Sequence, residues 1–246
     1  MNGEFGTYTL TIKGEKLTVE KPLIMGILNV TPDSFYSGSR MGSDEALIGK
    51  RVEQILDEGG DMIDIGAYST RRNADDISAD EEYARLKTGL NIIKSIDANV
   101  VVSVDTFRAD VARKCVEEFG VDIVNDVSGG TLDDEMFATV AKLKVPYILM
   151  HMRGTPATMQ QLTDYSDVTR DVIADLRQKK LALNELGVEE VIIDPGFGFS
   201  KTLEQNFEML NRLEDFKQLC APLLVGVSRK SMIFRTLGCT PVESLN

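Results

Sequence analysis

The chain has one histidine, three cysteines and no tryptophan in 246 residues. Cys115, Cys220 and Cys239 are odd in number, far apart and without a CxxC pair. They read as reduced thiols, not as a disulfide framework or zinc ligands. The only histidine, His151, has no nucleophile or ligand set beside it in the sequence and reads as structural. Long hydrophobic runs are missing too: nothing approaches the ~18 continuous apolar residues of a membrane span. The start, "MNGEFGTYTL", lacks the basic-then-apolar layout of a secretory leader, which leads us to expect a cytoplasmic protein. Positive charge is scarce, with 27 Lys and Arg against 39 Asp and Glu and a net charge of -12. No cationic surplus exists to displace counterions, so neither nucleic acid nor an anionic membrane is expected as a partner. Any anionic ligand must meet a local concentration of cations. Several chemistries are absent as motifs. There is no GxxxxGK[ST], since Lys201 stands where its second glycine should be, and no G-x-G-x-x-G follows an early strand. HExxH and GxSxG are missing as well, which removes zinc hydrolysis and acyl-enzyme chemistry.

What is present is a regular alternation. "GTYTLTIKGEKLTVEKP" alternates apolar and polar residues around "KG" and predicts a β-hairpin at 7–20. Short apolar runs follow: "PLIMGILNV", "DMIDIGA", "NVVVSVDT", "VDIVNDV", "VPYILMHM", "EVIIDPG" and "PLLVGVSR". Near-continuous apolar strands suit a parallel sheet buried on both faces. Helical stretches such as "DEALIGKRVEQILDEG" and "SADEEYARLKTGLNIIKSI" separate them, with no linker to split the chain. The expectation is therefore one α/β domain over 1–246, either a (β/α)8 barrel or a doubly wound sheet. In a barrel the hairpin would plug the N-terminal mouth. After "SRKSMIFRTLG" only "CTPVESLN" remains, so a last helix and an eighth strand are expected to be missing.

Ligands in both architectures sit at the carboxyl ends of strands. Those positions hold Asn29, then Thr70 and Arg71 in the loop after the second run, then Asp105 and Asn125. Met150, His151 and Met152 follow, then Asp194, and last Ser228, Arg229 and Lys230. Each also has a plainer reading. Asp105 could cap the next helix, Asn125 could serve a turn, and Met150 and Met152 could be packing groups. The glycines of "DPGFGFSK" could simply be turn residues with positive φ. As a set, two Asp, an Asn and a Lys around one mouth suit the edge of a flat heterocycle. A carboxylate accepts two adjacent N–H groups, as a guanine-like or pterin edge offers, and an Asn matches a mixed edge.

Seven segments occur in one order from residue 25 to about 232: "MGILNVTPDSF", "DIGAYSTR", "SVDTF", "VNDVSGG", "LMHMRGTP", "DPGFGFSKT" and "VGVSRK". Through them the chain resembles the dihydropteroate synthase family, which joins a pterin to 4-aminobenzoate. The resemblance implies a (β/α)8 TIM barrel, usually a homodimer. It assigns Asp105, Asn125, Asp194 and Lys230 to the pterin ring, and Asp105, Lys230 and Asp33 to catalysis. Thr70, Arg71, Phe35, Phe199 and Ser228 would border the aminobenzoate and diphosphate sites, and Asn29 would be a Mg²⁺ ligand. The loops at 31–40 and 69–78 would close over both substrates. The alternatives are a pterin-binding methyltransferase barrel, which should lack the "NVTPDSF" and "STR" loops, and a catalytically inactive pterin-binding relative. There are two departures. The family's second loop continues with Pro-Gly where this chain has Arg72 and Asn73, so the loop loses a fixed φ and gains charge. The family's closing strand carries an Arg-x-His motif, and none precedes Asn246.

Overall fold

A computed structural model describes residues 8–31, 41–68 and 76–245. Two strands open it, β1 (Tyr8–Ile12) and β2 (Glu15–Val19), paired antiparallel from Tyr8↔Val19 to Ile12↔Glu15. Lys13 and Gly14 join them, with φ of 54° and 78°. Positive φ at both central residues gives the turn whose twist matches the flanking strands.

Six parallel strands follow, in sequence order and hydrogen-bonded neighbour to neighbour. They are β3 (Met25–Asn29), β4 (Met62–Gly66), β5 (Val101–Asp105), β6 (Ile123–Asp126), β7 (Tyr147–Met150) and β8 (Val191–Asp194). Helices return the chain between them: α1 (Met41–Asp57), α2 (Ala79–Ile96), α3 (Ala109–Phe119), α4 (Met136–Leu143) and α5 (Val168–Glu185). The helices start at local signals. The Ser78 hydroxyl accepts from Glu81 N at the head of α2, and the Asp167 carboxylate accepts from Arg170 N at the head of α5. After β8 come α6 (Leu203–Asn211), opened by a reciprocal Thr202–Gln205 cap, and α7 (Ser231–Leu237). This is the strand-helix alternation of a TIM barrel.

Period-two alternation divides every strand between two environments. Leu28, Ile63, Ile65, Val102, Val104, Val124, Leu149 and Ile193 face outward into the main core, shared with the helices. On the other face Met62, Ile123, Ile148 and Ile192 pack with Leu10 and Ile12 of the hairpin, joined by Met25, Val101 and Leu224. The hairpin thus stops the N-terminal end of the barrel with an apolar floor, as the sequence pattern suggests.

The seventh apolar run is where expectation and structure differ. "PLLVGVSR" forms no strand: only Leu223 bridges to Ile193, with Leu224 N donating to Ile193 O at 2.8 Å. Among the described residues it has a partner on one side alone, and a strand paired on one edge is weakly held. The described residues beyond α7 carry a 3-10 turn at Glu243–Leu245 and no strand.

Candidate active site at the carboxyl ends of the strands

Two steps above the floor, the inward face changes character. Asp64 on β4, Ser103 on β5, Asn125 on β6 and Asp194 on β8 occupy it, with Asp105 two steps higher on β5. The ladder aligns Asn29, Gly66, Asp105 and Asn125 as successive register partners, and Met150 with Asp194. Gly66 has a packing reason: a Cβ there would stand 3.3 Å from the Asp105 side chain. Four residues far apart in sequence are thus brought together by register.

Their contacts define the chemistry. Asn125 Nδ2 donates to Asp64 Oδ2 at 3.0 Å, which leaves the Asn125 amide oxygen for a ligand. Asp64 is 7% exposed, and among the described residues its Oδ1 has no hydrogen-bond partner. Burial pushes its carboxyl up to about 6, against the pull of hydrogen bonding. Asp105 does not cap α3. That helix begins at Arg108 without a side-chain cap, and Ala109 N is taken by Asp133 Oδ2 at 2.7 Å. The Asp105 carboxyl is raised well above its ordinary range by burial and by Asp64, Glu82, Asp126 and Asp194. Carboxyls so close in a poorly hydrated space resist ionising together.

Asp194 is also raised by burial, and Lys230 and Lys201 pull it back. Its Oδ1 accepts from Gly196 N at 2.7 Å. Gly196 answers for the "DPGFGF" turn: its φ is 71°, and an added Cβ would lie 2.1 Å from the His151 carbonyl. Lys230 Nζ donates to Phe197 O at 2.5 Å and sits 5.1 Å from the Phe199 ring centre. Burial lowers the Lys230 ammonium, and Asp194 opposes this. Met150, Met152, Met159 and Val127 form a separate apolar cluster with Phe107 and Phe199 at its border. The mouth therefore has a polar layer and an apolar wall, the composition a flat heterocycle requires.

Asn29, at the end of β3, and Ser228, in the run after α6 that forms no strand, are both exposed. Among the described residues no group of three His, Cys, Asp or Glu could hold a metal ion. A lone amide oxygen fits an ion such as Mg²⁺, which keeps most of its shell from water and phosphate. Asp33, Phe35, Thr70, Arg71, Arg72 and Asn73 lie outside the described residues. A cavity of about 240 Å³ lies at the opposite end of the strands, beside Lys13 and Asp122, and has no part in this mouth.

Three neighbours support the site without facing it. Asp126, on the outward face, accepts from Ser128 N, Ser128 Oγ, Gly130 N and Tyr147 Oη, and shapes the loop after β6. Glu82, fully buried, accepts from Thr106 Oγ1 at 2.6 Å and pairs with Arg108. That pair braces the end of β5 directly after Asp105. Asp64 was missed by reading strand ends alone, although an acid inside an apolar run is a cue in itself.

The barrel gathers carboxylates, an amide and an ammonium at one mouth, and its class follows from the family it matches. Residues 25–244 match the family described as pterin binding enzyme. A dihydropteroate synthase from Synechocystis is 43% identical over 224 residues, spanning 89% of this chain and 75% of that protein. The solved structure of the Xanthomonas albilineans dihydropteroate synthase with 4-aminobenzoic acid has a TM-score of 0.85 at 33% identity, covering 97% of this chain and 85% of that one. The same enzyme in complex with indole-2-carboxylic acid and 6-chloroguanine gives 0.84 at 32%, covering 97% and 84%. The chain belongs to the dihydropteroate synthase family, the transferases of this step in folate synthesis.

Proposed function

We propose that the mouth binds a 7,8-dihydropterin through Asp105, Asn125, Asp194 and Lys230, with Asp64 orienting Asn125. The observation that carries this is the Asp64–Asn125 hydrogen bond, with Asp105 as the register partner of Asn125 on the neighbouring strand. Asp194, pinned by Gly196, offers its remaining carboxylate oxygen to paired N–H groups of the ring. Lys230 meets a ring carbonyl or imine nitrogen. The 6-chloroguanine bound by the Xanthomonas enzyme, a guanine-edged ring, supports the reading.

The second substrate is 4-aminobenzoate, the ligand of the other Xanthomonas complex. Phe199, Ser228, Thr70, Arg71 and Phe35 border it and the diphosphate, with Asp33 acting from the first loop. The C–O bond between the pterin methylene and the diphosphate breaks, and the electron pair leaves with the diphosphate. The arylamine nitrogen forms the new C–N bond and loses a proton, giving 7,8-dihydropteroate. Positive charge that develops on the methylene spreads into the ring, where Asp105 and Asp194 stabilise it. A Mg²⁺ on Asn29 would neutralise charge on the departing diphosphate. No activated nucleophile is required, because a weak amine needs only a strong electrophile held in line. The protein acts as one domain in the cytoplasm, as a homodimer. Among the described residues no helix is long and apolar enough to cross a membrane.

The test is release of diphosphate from the dihydropterin methyl diphosphate with Mg²⁺, with and without 4-aminobenzoate. Release coupled to dihydropteroate formation is expected. Binding of the pterin with no turnover under any condition would sink the catalytic assignment.

A further inference from the structure

Lys201 is a buried amine that the reaction does not use, its ammonium lowered by burial to about 7. It is 3% exposed, and its Nζ faces three acceptors: Gly196 O at 2.9 Å, Phe199 O at 2.9 Å and His151 Nδ1 at 3.1 Å. An ammonium has three protons, so each acceptor receives one. His151 then carries its own proton on Nε2 and stays neutral. Burial and the cations Lys201, Lys179 and Arg153 hold that imidazole well below its usual range. A neutral amine accepting from a Nδ1 proton would keep the same link, so the contact survives either protonation state.

Consider where those acceptors sit. His151 directly follows β7, and its N donates to Asp194 O at 3.0 Å. Gly196 holds the Asp194 carboxylate, and Phe199 lies under Lys230. Other side chains grip the same loop elsewhere: Asn206 takes Gly198 N, and Tyr165 bonds Ser200 O. Among the described residues only the Lys201 side chain reaches both Gly196 and Phe199 and ties them to the neighbouring strand.

We propose that Lys201, seated on His151, is a positioning residue that fixes loop 195–200 and so aims both Asp194 and Lys230 at the pterin. This rests on the pterin assignment of the mouth. The experiment is calorimetric binding of 6-hydroxymethyl-7,8-dihydropterin, which has no leaving group, so that affinity is read apart from turnover. Lys201→Met should bind about tenfold more weakly, because two carbonyls lose a charged donor and the loop relaxes, with the melting temperature still well above that of the assay. His151→Asn keeps an acceptor near Nδ1 and should bind within about twofold of the parent. His151→Leu removes the acceptor and should resemble Lys201→Met, and the double variant should be no worse than either alone. A folded Lys201→Met of parental affinity overturns the proposal. If that variant does not fold, equal affinities for His151→Asn and His151→Leu overturn it instead. No binding by the parent would overturn the pterin assignment and this proposal together.

Discussion

Replacing Asp64 with Asn should stabilise the protein at alkaline pH while weakening its site. The folded carboxyl ionises near 6, against an ordinary 3.8. Below 3.8 it is protonated in folded and unfolded chains alike and carries no penalty. Above about 6 it is ionised in both, and the folded state bears the whole cost of the buried charge. Its contribution to stability is therefore lost as pH rises through that window. A move from 3.8 to about 6 corresponds to about 3 kcal/mol. An Asn carbonyl can go on accepting from Asn125 Nδ2, but its NH2 takes the place of the partnerless Oδ1, at a cost of about 1–2 kcal/mol. The net expectation is a gain of about 1–2 kcal/mol at pH 8. Urea unfolding at pH 8 and at pH 5.2, just above the sequence pI of about 4.7, tests this. The gain should shrink by about 1 kcal/mol at the lower pH, where the native carboxyl is mostly protonated. A variant whose stability difference is the same at both values, or one less stable at pH 8, would refute the account. Asp105 and Asp194 are raised in the same direction, so the parent itself should lose stability from pH 5.2 to 8.

Gly196→Ala should abolish pterin binding and cost upwards of about 3 kcal/mol in urea unfolding, because its methyl would meet the His151 carbonyl. Parental stability would mean that the turn is not held against β7. Glu82→Ala should cost about 1–3 kcal/mol, since Thr106 Oγ1 and one arm of Arg108 lose their buried acceptor at the end of β5 while Arg108 keeps Ile77 O and Asp76. Glu82→Gln should recover part of that by keeping the Thr106 bond, and thermal melts of the two variants will rank them.

Much of the fold is legible in the chain because burial on both faces writes each strand as a compact apolar run. The "KG" turn states its own geometry, and the ends of β5, β6 and β8 carry Asp105, Asn125 and Asp194 as polar stops. The edge run 222–228 misleads, because its sequence resembles a buried strand while pairing depends on a neighbour. Asp64 was hidden for another reason. Its place in the site comes from lateral register with Ser103 and from reach to Asn125, and sequence order carries no record of either. Lys201 was visible only as part of a glycine-rich turn. Its partner His151 is 50 positions earlier, so neither residue alone suggests the pair.

The hairpin floor has a consequence for how the protein folds. Thr11 N and Oγ1 both bond Glu190, across 179 residues, at 2.9 and 2.5 Å. Its apolar contacts reach Ile192 and Leu224 as well. The hairpin can form its turn at once, yet the floor it docks on is complete only when Ile192 of β8 joins Met62, Ile123 and Ile148. Contacts of such long sequence separation are slow to close. The bottom of the binding mouth is therefore closed late in folding, and a chain stalled before β8 leaves part of the apolar hairpin face uncovered to chaperones and to other chains.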